Sequence, residues 1–255
     1  MKISIITVCF NSATTIKDTI ESVLSQDYAD IEYVVVDGGS TDGTQAIVES
    51  YGQRVSKFVS ERDKGIYDAM NKGVALATGD VIGILNSDDF YEGRGVISSV
   101  VKAFELCPDS DIVFGDVVFV NSNNLQKVTR LYRGKNFAPW KLRFGWMPPH
   151  PASFICRTAY QRVGMYSLKY KISADYEFFV RFFLTHRLRY SYLGQVLVRM
   201  RSGGASTAGL RSSLKLNREI VTACRSNGVY TNLFMVLLKL PFKLYELYKR
   251  SDHLS

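Results

Sequence analysis

An α/β fold, with a mostly parallel sheet and helices on both faces, is the architecture that residues 2–89 predict. Three observations lead there. Apolar, β-branched runs at 2–10, 31–36, 55–60 and 80–85 alternate with stretches whose apolar residues recur at helical spacing. The central run is apolar without interruption, as a strand buried on both faces is. Three of the runs stop at polar residues, at 7–11, from Asp37 onward and at 86–89. In a parallel sheet those ends open along one edge, where open α/β sheets bind ligands.

The central run, Ile82-Gly83-Ile84-Leu85, ends abruptly at Asn86-Ser87-Asp88-Asp89. Adjacent carboxylates repel, and a hard divalent cation with oxygen ligands would offset that repulsion. A helix cap or a turn is the plainer role for the same two acids. Upstream, Asn11 and Ser12 are placed to cap a helix whose apolar stripe is Ile16, Ile20, Val23 and Leu24. Residues 37–44 form a turn dense in glycine and capping residues, which leads to a short helix with Ile47, Val48 and Tyr51 inward. The helix expected over 65–77 turns Ile66, Ala69, Met70, Val74 and Ala77 to the core.

Beyond the central strand come a helix bearing Val96, Ile97, Val100, Val101 and Phe104, and a hairpin of 111–120 with 125–133. Residues 137–151 combine aromatics and proline without a clean period and predict a loop or a short helix, a candidate acceptor-side surface. A short strand at 152–156 and a helical turn at 157–163 follow, then a helix over 175–185 lined by Phe178, Phe179, Phe182 and Phe183. Strands are expected at 188–193 and 196–200, a Gly/Ser loop at 201–209, and helices over 212–226 and 231–250.

Composition bounds the function classes. The chain has 255 residues, 46% of them hydrophobic, which suits one large domain with a real core. Polar residues enter too early after Met1 for a secretory leader, and no stretch has the ~20 uninterrupted apolar residues of a membrane span. Cys9, Cys107, Cys156 and Cys224 lie far apart, as do His150, His186 and His253; this argues against structural zinc and for a reduced, cytosolic chain. The net charge is +8, with its excess after Lys127. Nucleic acid, an anionic membrane face or a phosphorylated substrate would each suit that charge, but no nucleic-acid recognition motif accompanies it. After Leu233 apolar residues alternate with Lys239, Lys243, Lys249 and Arg250. That pattern fits a basic helix lying on an anionic membrane, or a helix packed on protein.

At Asp37-Gly38-Gly39-Ser40-Thr41-Asp42-Gly43-Thr44 and Asn86-Ser87-Asp88-Asp89 the chain resembles the family 2 glycosyltransferases, whose Rossmann-like fold is called GT-A. The resemblance continues through residues 60–73, His150-Pro151, Ala174-Asp175-Tyr176-Glu177 and Gly203-Gly204-Ala205-Ser206, and covers 2–206. It looks most like the bacterial branch that builds capsule, colanic-acid or O-antigen polysaccharides.

The resemblance implies a nucleotide-sugar-binding half at 1–120, an acceptor-binding half of the same domain at 121–208, and a C-terminal helical extension at 209–255. It implies that Thr7, Phe10, Asn11 and Asp37 hold the nucleotide base, Phe10 with a flat apolar face and Asp37 with a carboxylate for a base N–H. Core packing for Phe10 and a turn cap for Asp37 are the alternatives. Asp63, Lys64, Asp68 and Asn71 stand on the donor side, with Asp63 and Lys64 near base or phosphate. Asn86, Ser87 and Asp88 stand at the ribose and diphosphate, and Asn86 replaces an acid common in the family. Asp88 and Asp89 would hold Mg²⁺ or Mn²⁺, whose Lewis acidity stabilises the departing diphosphate.

Asp175 stands at the catalytic base, although Ala174 replaces the acid that often precedes it; a helix N-cap is its alternative. His150, Arg199, Arg201, Gly203 and Gly204 stand at acceptor or phosphate, the arginines through guanidinium forks and the glycines through free N–H groups. The implied activity is inverting, metal-dependent transfer of a hexose from a nucleotide sugar, UDP-linked, to a polyprenyl-diphosphate-linked or oligosaccharide acceptor. The implied setting is the cytoplasm, with peripheral contact to the inner face of the plasma membrane. Two rival readings are a nucleotidyltransferase, which would release pyrophosphate, and a non-catalytic nucleotide-sugar-binding or scaffold subunit, which would hydrolyse no donor.

Overall fold

The computed structural model describes residues 1–202 and 209–239. Its parallel half follows from the two-residue period of its strands. In β1 (Ile3–Cys9) and β2 (Ile31–Asp37), Ile3, Ile5, Tyr33 and Val35 join one buried layer, while Ile6, Val8, Val34 and Val36 join the other. The first layer is closed by α1 (Ile16–Leu24), α2 (Thr44–Glu49) and α4 (Val96–Leu106). The second is closed by α3 (Ile66–Leu76), α5 (Arg157–Val163), α6 (Ala174–Val180) and α7 (Gly209–Ser226). With β3 (Lys57–Ser60) and β4 (Val81–Asn86) the order is β3-β2-β1-β4, parallel throughout.

The sheet then changes sense without a break. β8 (Ser153–Cys156) pairs antiparallel with β4, and β6 (Ile112–Asn121) pairs antiparallel with β8. β9 (Tyr190–Arg201) runs parallel to β6 and carries β5 (Phe90–Tyr91) on its outer side, while β7 (Asn124–Tyr132) forms the hairpin with β6. Gly83 lets β4 and β8 approach: a Cβ there would stand 2.8 Å from the Phe154 ring. The division drawn at 120/121 therefore falls inside β6, and both halves share one backbone ladder.

Several expectations are corrected. The two strands expected at 188–193 and 196–200 are one strand, β9; register shifts opposite Asp116 absorb the interruption at Gly194 and Gln195. Asn11 and Ser12 do not cap α1 with their side chains. Asn11 takes a left-handed backbone (φ 49°) and its Oδ1 accepts from Thr41 N, while the Ser12 carbonyl accepts from Thr15 N and Ile16 N. Ile66 opens α3 half-exposed rather than in the core. The helix expected to Thr185 is α-helical only to Val180 and finishes as a π turn over Arg181–Thr185. Within the expected helix at 231–250, α8 covers Leu233–Leu237, and residues from 240 lie outside the described ones.

Candidate active site

The ends of β1, β2 and β4 open on one edge of the sheet and are tied together there. Gly38 N donates to the Cys9 carbonyl at 2.9 Å, Glu61 N to the Asp37 carbonyl at 3.0 Å, and the Ser12 and Ser87 hydroxyls meet at 2.8 Å. Asp37 organises this edge from inside. It is fully buried, and its carboxylate accepts from Gly39 N, Ser40 N, the Ser40 hydroxyl and the Ser60 hydroxyl. Burial opposes its ionisation, but those bonds outweigh burial and hold the carboxyl below its usual range. Asp37 thus has no oxygen left for a ligand. Thr7 is fully buried as well, with its hydroxyl bonded to the Tyr33 hydroxyl.

A different pair of side chains faces open space at this edge. Phe10 is 62% exposed, against the habit of large aromatics. Beside it Gly38 leaves a gap: a Cβ there would stand 2.5 Å from Asp63 Oδ2 and 3.3 Å from the Phe10 ring. Asp63 Oδ1 accepts from Gly65 N at 2.8 Å, and Oδ2 has no hydrogen-bond partner among the described residues. The result is a flat apolar face with one free carboxylate oxygen at its rim.

The chain neighbours Asp88 and Asp89 diverge. Asp89 is 1% exposed, with Oδ2 accepting from Asn86 Nδ2 at 3.2 Å. Asp89 Oδ1 and Asn86 Oδ1 are buried without a hydrogen-bond partner. Burial first, then the charge of Asp88, pushes the Asp89 carboxyl well above the usual carboxylate range. Of the two acids expected to hold a metal, Asp88 is half-buried and its carboxylate makes no hydrogen bond among the described residues. Asp88, Asp18, Asn123 and Arg201 line a cavity of about 600 Å³.

Among the described residues no group of three or more His, Cys, Asp or Glu side chains is placed to hold a metal ion by itself. One free carboxylate beside buried, unpartnered oxygens fits a small, oxygen-seeking divalent cation whose remaining ligands are diphosphate oxygens and water.

Asp175 lies in the first turn of α6 and is half-buried. Its Oδ1 accepts from Tyr176 N at 2.8 Å and from the Tyr67 hydroxyl at 3.0 Å. Tyr67 is in the first turn of α3, just past the end of β3, so this bond brings Asp175 toward the same edge.

With this geometry in place, the match to known proteins is decisive. The sequence model of "Glycosyl transferase family 2" matches residues 4–164. The chain belongs to that family. Among its relatives is a PGL/p-HBAD biosynthesis glycosyltransferase of Mycobacterium bovis BCG, 32% identical over 198 residues, which are 76% of this chain and 74% of the relative. An uncharacterized glycosyltransferase of Mycobacterium tuberculosis H37Rv is 33% identical over 184 residues, 70% and 68% of the two chains. The fold matches S. aureus TarS 1–349 in complex with UDP-GlcNAc, with TM-score 0.66, 19% identity, and coverage of 88% of this chain and 66% of that one. It also matches a Pyrobaculum calidifontis mannosyltransferase in complex with GDP-Man and Mn²⁺, with TM-score 0.61, 18% identity, and coverage of 99% and 82%. The architecture is GT-A.

In this family 2 glycosyltransferase the other expected site residues divide sharply. Asn71 does not reach the donor edge; its amide clamps the backbone of Tyr166 through Nδ2 to the carbonyl at 2.8 Å and Oδ1 from the N–H at 2.9 Å. His150 is buried, with Nε2 2.8 Å from the Tyr166 hydroxyl, and burial lowers its pKa despite the opposing charge of Asp175. Arg199 spends its fork on Glu92 at 2.6 and 2.8 Å and on the Leu125 carbonyl at 3.0 Å. Arg201 stays at the edge: it donates to the Asp88 carbonyl at 2.7 Å, pairs with Asp18, and lies over the Phe90 ring. The side chain of Lys64 makes no hydrogen bond among the described residues, while its N–H donates to Asp68 at 3.0 Å. Gly203 and Gly204 lie outside the described residues. Sequence reasoning passed over Tyr67; its spacing one helical turn from Asn71, both polar-tipped on a buried helix face, was the available signal.

Proposed function

We propose that this chain is an inverting, metal-dependent hexosyltransferase. It uses a uridine diphosphate sugar and a lipid-linked glycan precursor, in bacterial surface polysaccharide or glycolipid assembly. The observation that carries the reading is the free Asp63 oxygen over Gly38 beside the exposed Phe10 ring, at the strand edge that also holds Asp88. A single free acceptor oxygen suits uracil, which presents one ring N–H; guanine presents two adjacent donors and asks for both oxygens of a carboxylate. The base stacks on Phe10, and the diphosphate lies toward Asp88, Ser87 and Arg201.

Asp88 would hold a Mg²⁺ or Mn²⁺ ion shared with the diphosphate, which supplies Lewis-acid stabilisation of the leaving group. Arg201, anchored by Asp18 and the Asp88 carbonyl, keeps positive charge beside that acid. Asp175 takes the acceptor's hydroxyl proton on its free Oδ2 as the acceptor oxygen attacks the anomeric carbon. The bond from that carbon to the diphosphate oxygen breaks, its electrons leave with the nucleoside diphosphate, and configuration inverts.

Among the described residues no helix is long and apolar enough to cross a membrane. Peripheral contact is supported by exposed Tyr230, Leu233 and Phe234 around α8 and by exposed Trp140 on the turn that α8 packs against. These are aromatic and aliphatic tips of the kind that settle at a lipid interface.

A thermal-shift series tests the donor assignment, because a ligand bound only by the native state raises Tm. UDP-hexoses with Mn²⁺ should raise Tm by several degrees, and GDP-hexoses or UDP-hexoses with excess chelator by much less. Equal shifts with and without metal would remove the cation, and a preference for GDP-sugars would remove the uracil reading.

A further inference from the structure

We propose that Tyr67 is the positioning residue of Asp175: its phenol holds Oδ1, so that Oδ2 alone faces the acceptor hydroxyl. This rests on the reading of Asp175 as the base. Asn71 was expected on the donor side, and α3 instead carries it and Tyr67 onto residues 166–175. Tyr67 reaches the Ile172 carbonyl at 2.7 Å and Asp175 Oδ1 at 3.0 Å, and Asn71 clamps both backbone groups of Tyr166. Residues separated by about a hundred positions are thus bolted together by one helix face. The loop entering α6 is fixed from its other side by Glu219 of α7, whose carboxylate accepts from Ile172 N, Ser173 N and the Ser173 hydroxyl at 3.0–3.1 Å.

The phenol has one hydrogen and two acceptors in reach. While Asp175 is ionised, the hydrogen is drawn to Oδ1, because bonds to a charged acceptor are the stronger ones. Once Oδ2 has gained a proton the charge is gone, and the same hydrogen can turn fully to the Ile172 carbonyl. Tyr67 itself does not compete for the proton: burial first, then the charge of Asp175, pushes its phenol far above the usual range. The groups facing Asp175 are few. Among the described residues they include Tyr67 from α3, His150 from the turn before β8, Tyr166 from the loop after α5, and Glu219 behind the loop at 171–173. Burial lowers the His150 pKa against the charge of Asp175, and no ion pair to the Asp175 carboxylate forms among the described residues. The Tyr67 hydroxyl is then the one side-chain donor to the carboxylate among the described residues.

The test is the pH dependence of kcat/KM in Tyr67→Phe, Tyr166→Phe and Asp175→Asn, with UDP release as the assay. Tyr67→Phe keeps the ring and its packing but removes the hydrogen bond to the ionised form. Its acid limb should move to higher pH, with kcat down about tenfold and donor KM within about twofold. Tyr166→Phe changes an equally buried phenol that does not bond Asp175, and its acid limb should coincide with wild type. A Tyr67→Phe profile that overlays wild type, or one that Tyr166→Phe reproduces, overturns the positioning role. Normal turnover by Asp175→Asn instead overturns the base assignment, and the positioning role with it. Thermal denaturation of each variant separates misfolding from either outcome: a folded Tyr67→Phe with a wild-type acid limb counts against the proposal.

Discussion

Asp88 and Asp89 show how far one residue step can change a carboxylate. The chain leaves β4 at Asn86 in a turn closed by Asp89 N donating to the Asn86 carbonyl at 3.1 Å, which leaves Asp88 half-buried and Asp89 in the interior. The buried member has a raised pKa, so the native state keeps a proton that the unfolded chain surrenders. As pH rises from the ordinary carboxylate value toward the folded one, the native state loses stability on that account. Asp89→Asn, neutral at every pH, should therefore match or exceed wild type in Tm at neutral pH and retain metal-dependent donor binding. Asp88→Ala should leave Tm within a few degrees of wild type and abolish the metal-dependent part of the donor's thermal shift. Titration of both variants with UDP-hexose and Mn²⁺ checks the pair, and a reversed pattern would return the cation to Asp89. Gly38 makes a second residue-scale prediction. Gly38→Ala forces the Asp63 carboxylate aside and should weaken donor binding about tenfold, with the unfolding midpoint nearly unchanged.

At the scale of elements, α3 is the piece whose contacts decide most. Its inner face lies so close to β1 that a Cβ on Gly73 would collide with the Ile6 side chain. Gly73→Ala should cost about 1–3 kcal/mol despite the better helix propensity of alanine, because overpacking a close helix–sheet contact outweighs propensity. Urea unfolding measures this directly. The same element marks where sequence reading stops. Its apolar stripe was legible from the spacing of Ala69, Met70 and Val74. The partners of Tyr67 and Asn71 were not, because each lies about a hundred residues away and no local pattern specifies it. Asp63 was expected on the donor side only through family resemblance; its place over Gly38 depends on the approach of two loops. The π turn after α6 escaped for a related reason. Phe178, Phe179, Phe182 and Phe183 satisfy helical spacing, and the contacts of Phe183 in the widened turn, with the Phe137 and Tyr190 rings, come from distant parts of the chain.

For the whole molecule, the parallel half was readable because each strand and its crossover are contiguous in the chain. In the antiparallel half the β6–β7 hairpin and β8 were readable as local elements, but the pairing of β8 with β4 was not, since residues 87–152 lie between them, and β9 crosses its own irregularity. The lower end of the sheet, opposite the crevice, is held by Glu32. Burial opposes its charge, but bonds from Ser4, Thr78 and Lys57 outweigh burial and hold it far below the usual range, with Lys2 also in contact. A depressed folded pKa means a contribution present above the unfolded value and lost as pH falls toward the folded one. Glu32→Gln should destabilise by about 2 kcal/mol at pH 7, with the gap to wild type narrowing steadily in acid. Denaturant melts at pH 7, 5 and 3 would show it, and a gap independent of pH would mean that Glu32 acts by shape alone.

The unbroken ladder from β3 to β5 has one more consequence. The parallel strands β3-β2-β1-β4 and the strands β8, β6, β9 and β5 belong to a single hydrogen-bonded plate, with β4 paired parallel on one flank and antiparallel on the other. Such a plate has no cleft to swing open between two lobes. Under the proposed function, spent nucleotide and fresh donor would exchange over its rim, where the connecting loops lie.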